Sequence, residues 1–146
     1  MTDTDDAVTT ADDTAVVTAA LKEQSAFGEL PAKAIKELAA TATVVRVSRG
    51  EWLFRAGEPA DSFFVVDTGS FEVLDDSDGD ERILRTLSRG AVVGELATLA
   101  QSPRSASVRA RRDATVVRIE AAALRTGLLD DAHFSRAVIR SLAIQL

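Results

Sequence analysis

The spacing of apolar residues is helical in two stretches near the start of the chain. The first set is Val16, Val17, Ala20 and Leu21, and the second is Ala34, Ile35, Leu38 and Ala39. Both sets follow the 3.6-residue period of a helix with one buried face. Pro31 stands just before the second set, where a proline suits the first turn of a helix. The pattern predicts helices within residues 14–40.

From residue 43 short β-branched or aromatic runs alternate with glycine-containing turns. Runs such as SFFVVD and SFEVLD are separated by turn residues at intervals of roughly 8–12 residues, which is typical of an antiparallel sandwich or barrel. Asp78-Gly79 between two runs predicts a hairpin. SASVRARR and ATVVRIE are predicted to form another pair, turning near Arg112-Asp113. We therefore expect a barrel of about eight strands over residues 43–120.

Helical spacing returns after residue 120. Residues 121–128 are rich in alanine, and a second helix is expected to start near Asp130-Asp131, because acidic residues suit a helix N-terminus. Phe134, Val138 and Leu142 mark its buried stripe. The predicted fold class is mainly β with flanking helices (α+β). It is an eight-stranded antiparallel barrel between N-terminal helices at 14–40 and C-terminal helices at 121–146.

Charge is unevenly distributed along the 146 residues, whose net charge is −6. Five aspartates lie within the first thirteen residues, and this segment has too few apolar residues to order itself. We expect a disordered acidic leader at 1–13 and a single domain at 14–146. There is no cysteine, no basic segment of the kind that begins a signal peptide, and no apolar run long enough to cross a membrane. A cytoplasmic location and no membrane partner are expected.

The C-terminal part of the chain is mildly basic. Residues 104–146 contain eight arginines against four acidic residues. Nucleic-acid modules usually carry basic stripes together with stacking aromatic residues. Here acidic residues interrupt the arginines and the chain has no tyrosine. Direct binding of nucleic acid by this segment is not expected.

Residues 90–105 depart from the strand pattern and contain the candidate chemistry. Gly94 stands immediately before residues 95–100, which suit one or two helical turns, and a glycine there allows close approach to a ligand. Free N–H groups of a first turn favour an anion, and Arg104 offers a guanidinium suited to phosphate oxygens. Glu95 could accept a hydrogen bond from a sugar hydroxyl. Phosphate and sugar binding within one segment predicts a compact nucleotide. A nucleoside triphosphate would need a Gly-Lys-Ser/Thr loop, which this sequence does not have.

The sequence GELATLAQSPRSASVRA resembles the phosphate-binding cassette of the cyclic-nucleotide-binding family. That family includes catabolite activator proteins, regulatory subunits of cAMP-dependent protein kinase and cyclic-nucleotide-gated channels. RGEWLFRAGEPADSFFVVDTGSFEVL is similar to the family's first barrel strands, and AFGELP resembles its entry helix. The resemblance implies a jelly-roll barrel that acts as a sensor module and not as an enzyme. It implies no catalytic residue, no metal and no cofactor beyond the ligand, cAMP or cGMP.

The resemblance also implies which residues contact the nucleotide. The implied ligand shell is Gly94, Glu95, Leu96, Ala97, Arg104, Ser105 and Ala106. In this shell Glu95 accepts from the ribose 2′-hydroxyl and Arg104 pairs with the exocyclic phosphate oxygens. The Ser105 hydroxyl and the Ala106 N–H complete the contacts to phosphate.

The base pocket implied by the resemblance consists of Val73, Leu84, Leu87 and Val93. Val92-Val93 departs from relatives, which usually have a phenylalanine there, so the pocket is expected to be apolar but smaller. A serine at the position of Ser105 accompanies cGMP in kinase-type relatives and cAMP in catabolite-activator-type relatives. The remaining sequence is more similar to bacterial members, which favours cAMP and leaves cGMP open.

Two alternatives to the sensor function remain open at the level of sequence, and two others are disfavoured. Glu95 and Arg104 could form an ion pair at the barrel rim, or the chain could be a non-binding family member that serves as an interaction scaffold. A cupin-type metal enzyme would need two or three histidines on the barrel, whereas His133 is the only histidine. The acidic residues between Asp75 and Glu81 do not have the spacing of a calcium loop.

Relatives deliver their response through another domain or a partner. We therefore expect either a covalently attached effector domain or a separate protein partner. The last helix ends about where relatives present the residues that cap the base, so a second subunit could supply the cap. A homodimer through the C-terminal helix is one form of that arrangement.

Overall fold

The computed structural model describes residues 11–23, 32–123, 132 and 135–136. Its first two helices are α1 (Ala11–Glu23) and α2 (Ala32–Thr41). Helix α1 begins before the predicted boundary at residue 14, so Asp12 and Asp13, which were expected to be disordered, are helical. The rest of the predicted leader, the AFGELP segment and most of the predicted C-terminal helices lie outside the described residues.

Eight strands follow the two helices in the described chain. They are β1 (Thr43–Val47), β2 (Trp52–Phe54), β3 (Ser62–Thr68), β4 (Phe71–Asp75), β5 (Arg82–Leu87), β6 (Val92–Val93), β7 (Ser107–Ala110) and β8 (Ala114–Glu120). A short helix, α3 (Glu95–Ala100), separates β6 from β7. The strands form two antiparallel four-stranded sheets in the orders β1-β8-β3-β6 and β2-β7-β4-β5. The predicted eight-stranded jelly roll is confirmed.

One of the two predicted strand pairs is confirmed and the other is wrong. β4 and β5 form the expected hairpin, with Phe71 opposite Leu87 and Asp75 opposite Arg82. β7 and β8 do not pair, because β7 joins β2 and β4 whereas β8 joins β1 and β3. The turn between them carries the chain from one sheet to the other, a change that local sequence patterns do not reveal.

Alternation along β3 divides the core into two parts. Phe64 and Val66 lie in the cluster between the sheets, whereas Phe63 and Val65 pack in the cluster that includes α1 and α2. Period-two alternation normally leaves one face of a strand in water, but here the helices cover that face. The first sheet is therefore buried on both sides, which fixes the position of β3.

The β2–β3 loop and the segment 94–106 meet at one end of the barrel. The Arg104 N–H donates to the Glu58 carbonyl at 2.9 Å, and the Gly57 N–H donates to the Arg104 carbonyl at 2.9 Å. The Ala56 N–H also donates to the Ser107 hydroxyl at 2.9 Å. These bonds hold residue 104 against the β2–β3 loop and bring distant parts of the sequence together.

Candidate functional site

We call residues 94–106 the cassette. The backbone of the cassette is left-handed at two residues, Gly94 and Gln101. Gly94 has φ of 86° and directly precedes α3, and Gln101 ends that helix with φ of 54°. The Gln101 N–H donates to the Ala97 carbonyl, and the Ser102 N–H donates to the same oxygen at 3.0 Å. Left-handed backbone at both ends turns the chain sharply, so the loop after α3 returns Arg104 toward Gly94.

The Arg104 side chain is buried within the cassette, with 5% of its surface exposed. Its Nη1 donates to the Gly94 carbonyl at 3.0 Å, and its Nη2 donates to the Ser62 carbonyl at 2.7 Å. Its Nε, also buried, has no hydrogen-bond partner among the described residues. Both acceptors are neutral, so the guanidinium keeps an unused donor, and neither of these hydrogen bonds pairs its charge with a carboxylate.

Burial determines the electrostatics of this guanidinium. Loss of water lowers the pKa of Arg104 below its ordinary value, because a low-dielectric environment disfavours the charged form. The carboxylates of Asp61 and Glu58 act in the opposite direction, and the charge of Arg118 adds to the lowering. A buried cation with incomplete compensation favours an incoming anion.

Two aromatic rings lie close to the guanidinium of Arg104. Its Cζ lies 4.1 Å from the ring centroid of Phe54 and 6.0 Å from that of Phe64. The two rings are stacked with their centroids 6.1 Å apart and their planes inclined by 28°. A guanidinium over an aromatic face gains a cation–π interaction and loses freedom to tilt. The rings therefore orient the plane of the guanidinium.

Gly94 is the point at which the guanidinium comes closest to the backbone. A Cβ atom built on Gly94 would lie 2.5 Å from Nη1 of Arg104 and 3.4 Å from the Phe54 ring. The glycine was predicted to allow the approach of a ligand. In this structure the group that uses the space is the Arg104 side chain.

Thr98 on α3 is fully buried and contacts the same carbonyl groups. Its hydroxyl lies 2.8 Å from the Ser62 carbonyl and 2.9 Å from the Gly94 carbonyl. Ser62 is also buried. The first residue of β3 is thereby connected to both the helix and the loop of the cassette.

The remaining predicted phosphate contacts lie along the same segment. Ala97 and Ala106 are half-buried, and Ser105 is exposed. The side chains of Glu95 and Leu96 are outside the described part of the structure, although their backbone lies in α3. The structure thus brings Gly94 and Arg104 into contact and leaves the roles of Glu95 and Ser105 as predictions.

Three of the four predicted base-pocket residues belong to the core between the sheets. Val73 and Val93 are buried in it, and Leu87 packs against it. Leu84 is 54% exposed on β5 and lies at a register shift, since Val73 pairs with Arg85 and Leu74 pairs with Ile83. Leu84 is therefore separated from the other three in this structure.

Other candidate chemistry lies elsewhere on the chain. Among the described residues, no group of three or more histidine, aspartate or glutamate side chains could hold a metal ion. His133 is outside the described residues. In the β4–β5 turn, Asp75 and Asp78 accept hydrogen bonds from the N–H groups of Ser77 and Asp80. These carboxylates stabilise their own turn.

Three residues of the site were missed by sequence reasoning: Phe54, Ser62 and Thr98. Phe54 and Ser62 lie in β2 and β3, in runs that predicted only strands. Thr98 offered one signal, because it is the only polar residue after Glu95 in the helical stretch ELATLA. A buried threonine needs acceptors for its hydroxyl, which the sequence alone does not locate.

Comparison with known proteins places this chain in a family. Residues 44–131 match the family model for the cyclic nucleotide-binding domain. An uncharacterised NTE family protein of Mycobacterium tuberculosis is 32% identical over 127 residues, which cover 87% of this chain and 21% of that protein. An uncharacterised ABC transporter ATP-binding protein of the same organism is 42% identical over 85 residues, covering 58% of this chain and 26% of that protein. The chain thus spans about a fifth to a quarter of these relatives.

Solved structures share the fold at lower identity. The regulatory domain of Toxoplasma gondii PKA, crystallised with cAMP, has a TM-score of 0.73 at 21% identity, covering 82% of this chain and 46% of that one. The regulatory subunit of a cAMP-independent protein kinase A from Trypanosoma brucei has a TM-score of 0.77 at 20% identity, covering 88% and 46%. No described helix is both long and apolar enough to cross a bilayer. The family match and the jelly roll together show that this chain belongs to the cyclic nucleotide-binding domain family.

Proposed function

We propose that this chain binds a cyclic nucleotide through the cassette and acts as a regulatory sensor module, not as an enzyme. The observation that carries the proposal is the buried guanidinium of Arg104, whose Nε has no partner among the described residues. An anion with one negative charge, such as a cyclic phosphate diester, would compensate the guanidinium charge and accept from its donors. Glu95, Ser105 and Ala106 complete the proposed contacts to ribose and phosphate.

The proposed ligand is cAMP, with cGMP as the competitor. The similarity to bacterial sequences supports cAMP, and a neighbour in fold was crystallised with it. The proposed contacts to the base are Val73, Leu87 and Val93, which are apolar residues in or against the core between the sheets. No cofactor is proposed in addition to this ligand.

The response is proposed to reach a second domain or protein. The match covers only 21% of the NTE family relative and 26% of the ABC transporter ATP-binding relative, so both are longer than this chain. We propose that the sensor regulates such an attached or partner effector in the cytoplasm. The proposal includes no contact with nucleic acid or membrane. Dimerisation through the C-terminal helix would allow a second copy of the chain to cap the base.

Calorimetric titration with cAMP, cGMP and 5′-AMP tests this proposal. Arg104→Ala is expected to weaken cAMP binding roughly 10–200-fold, because a charge-assisted hydrogen bond contributes about 1.5–3 kcal/mol. Arg112→Ala removes the same charge in the exposed turn between β7 and β8, far from the cassette, and should leave affinity unchanged. Equal affinity of Arg104→Ala and wild type would contradict the role of Arg104.

A non-binding scaffold is the second candidate function. It is favoured by one observation, namely that the same fold occurs in a kinase regulatory subunit described as cAMP-independent. Absence of heat with all three nucleotides from a chain with an intact β-rich circular dichroism spectrum would support the scaffold and reject the sensor.

A further inference from the structure

The side chains of Thr98 and Arg104 have the same two carbonyl oxygens within hydrogen-bond distance. The Arg104 guanidinium reaches the Gly94 oxygen at 3.0 Å and the Ser62 oxygen at 2.7 Å. The Thr98 hydroxyl reaches the Ser62 oxygen at 2.8 Å and the Gly94 oxygen at 2.9 Å. Each oxygen can accept two hydrogen bonds, whereas the hydroxyl has a single hydrogen and donates to one of the two oxygens at a time.

The two carbonyl groups differ in how much they depend on these side chains. The Gly94 oxygen also accepts the Thr98 N–H at 3.3 Å, so it keeps a backbone donor whatever the side chains do. The Ser62 oxygen belongs to a residue that is 1% exposed and that begins β3. If Arg104 turns away, the Thr98 hydroxyl is the side-chain donor that stays with this oxygen.

A hydroxyl at position 98 is not explained by packing or by helix geometry alone. Thr98 is 0% exposed, and an apolar residue of similar size would fill the same space. A buried threonine on a helix often bonds the carbonyl four residues earlier, here Gly94. The bond to Ser62 spans 36 residues and is slightly shorter. This second bond connects the helix to β3.

We propose that Thr98 is a positioning residue that frees Arg104 to turn toward an anionic ligand, by keeping the Ser62 carbonyl hydrogen-bonded once the guanidinium has left. The inference rests on the proposed function. Binding of a phosphate by Arg104 competes with its bonds to Gly94 and Ser62, and a buried carbonyl left without a donor opposes binding. Thr98 removes that penalty.

Calorimetric titration of cAMP into two variants tests the positioning role. Thr98→Val keeps the shape and removes the hydroxyl, and we expect its Kd to rise about 5–30-fold, which corresponds to about 1–2 kcal/mol. Thr98→Ser keeps the hydroxyl and should bind within about twofold of wild type, even if the lost methyl group lowers its melting temperature. Thr115→Val, on β8 at the opposite end of the barrel, is the matched control and should not change Kd. Wild-type affinity in Thr98→Val would overturn the proposal.

A ligand-free measurement separates this inference from the proposed function. The melting temperatures of wild type, Thr98→Val, Arg104→Ala and the double variant form a double-mutant cycle. Each single variant leaves one side-chain donor for the Ser62 oxygen, and only the double variant removes both. We expect the double variant to lose more than the two single losses added together. If the losses in melting temperature are additive, Thr98 and Arg104 do not share the Ser62 oxygen as an acceptor. If wild type binds no cyclic nucleotide, the proposed function and the role of Thr98 in binding fail together, while the cycle still decides whether the acceptors are shared.

Discussion

The guanidinium of Arg104 lies over the ring of Phe54, with its Cζ 4.1 Å from the ring centroid. Phe54 ends β2, and Arg104 follows α3 in the loop that leads to β7. The contact therefore joins the second sheet to the cassette. Because a guanidinium is planar, a ring beneath it fixes its tilt and directs its N–H groups sideways, toward Gly94 on one edge.

Replacement of Phe54 by leucine is expected to weaken cyclic-nucleotide binding. Leucine retains an apolar contact but loses the aromatic face, and a desolvated cation–π interaction is worth about 0.5–2 kcal/mol. This corresponds to roughly 2–30-fold in Kd, measured by calorimetry. Phe54→Trp preserves an aromatic face and should bind more tightly than Phe54→Leu.

Phe71→Leu provides the control for loss of a phenylalanine from the same core. Phe71 is fully buried at the start of β4, opposite Leu87 and opposite Ala110, which ends β7. This variant should lose about 1 kcal/mol or more of stability and keep its affinity. Equal Kd values for the Phe54→Leu and Phe71→Leu variants would refute a specific role for the Phe54 ring.

Three glycines with the same positive φ allow backbone strain to be separated from contact with Arg104. They are Gly50, Gly69 and Gly94, with φ of 87°, 83° and 86°. A Cβ on Gly50 meets nothing within 4 Å, one on Gly69 lies 2.6 Å from Asp113 O and Ala114 Cβ, and one on Gly94 lies 2.5 Å from the Arg104 side chain. Alanine is strained at all three, at a cost of about 1–2 kcal/mol.

We expect the three alanine variants to differ in stability and in affinity. Gly69→Ala should be the least stable, because the Asp113 carbonyl and the Ala114 side chain cannot easily move away from the new methyl group. Gly50→Ala should show the effect of backbone strain alone. Only Gly94→Ala should weaken nucleotide binding, by about tenfold or more, since it displaces the guanidinium. Urea unfolding and calorimetry measure the two effects. A similar loss of affinity in Gly50→Ala would show that strain, not the contact with Arg104, is responsible.

Sequence patterns predicted the parts of the site that are close together along the chain. Gly94 and Arg104 belong to one short segment, so their proximity followed from a motif. Ser62 is 42 residues from Arg104, and the bond between them depends on how β3 and the cassette meet. Leu84 shows another limit, because the register shift that leaves it exposed depends on the pairing of β4 and β5.

The outer face of the second sheet has an ionic cluster that should affect stability without affecting binding. Arg109 donates from Nε and Nη2 to Glu72 at 3.1 and 2.8 Å, and its Cζ lies 5.0 Å from the Trp52 ring. Arg109→Lys keeps the charge but loses the paired donors and the planar contact. We expect a loss of about 0.5–1.5 kcal/mol in urea unfolding, limited by partial exposure, and an unchanged Kd. A change in affinity would connect this face to the cassette.

The β4–β5 turn should become less stable in acid through Asp75. The Ser77 N–H, at 2.9 Å from Oδ1, is the main reason that the pKa of Asp75 lies below its ordinary value of 3.8, and Arg82 also contributes. Since the folded pKa is the lower one, the stabilisation is complete above the unfolded pKa and is lost as pH falls through the folded pKa. Asp75→Asn should therefore be less stable than wild type at pH 7, and the difference should shrink toward zero in acid. Asparagine can still accept from the Ser77 N–H, so the difference reports the carboxylate charge. A difference in unfolding free energy that stays constant from pH 7 to strong acid would exclude that charge as its cause.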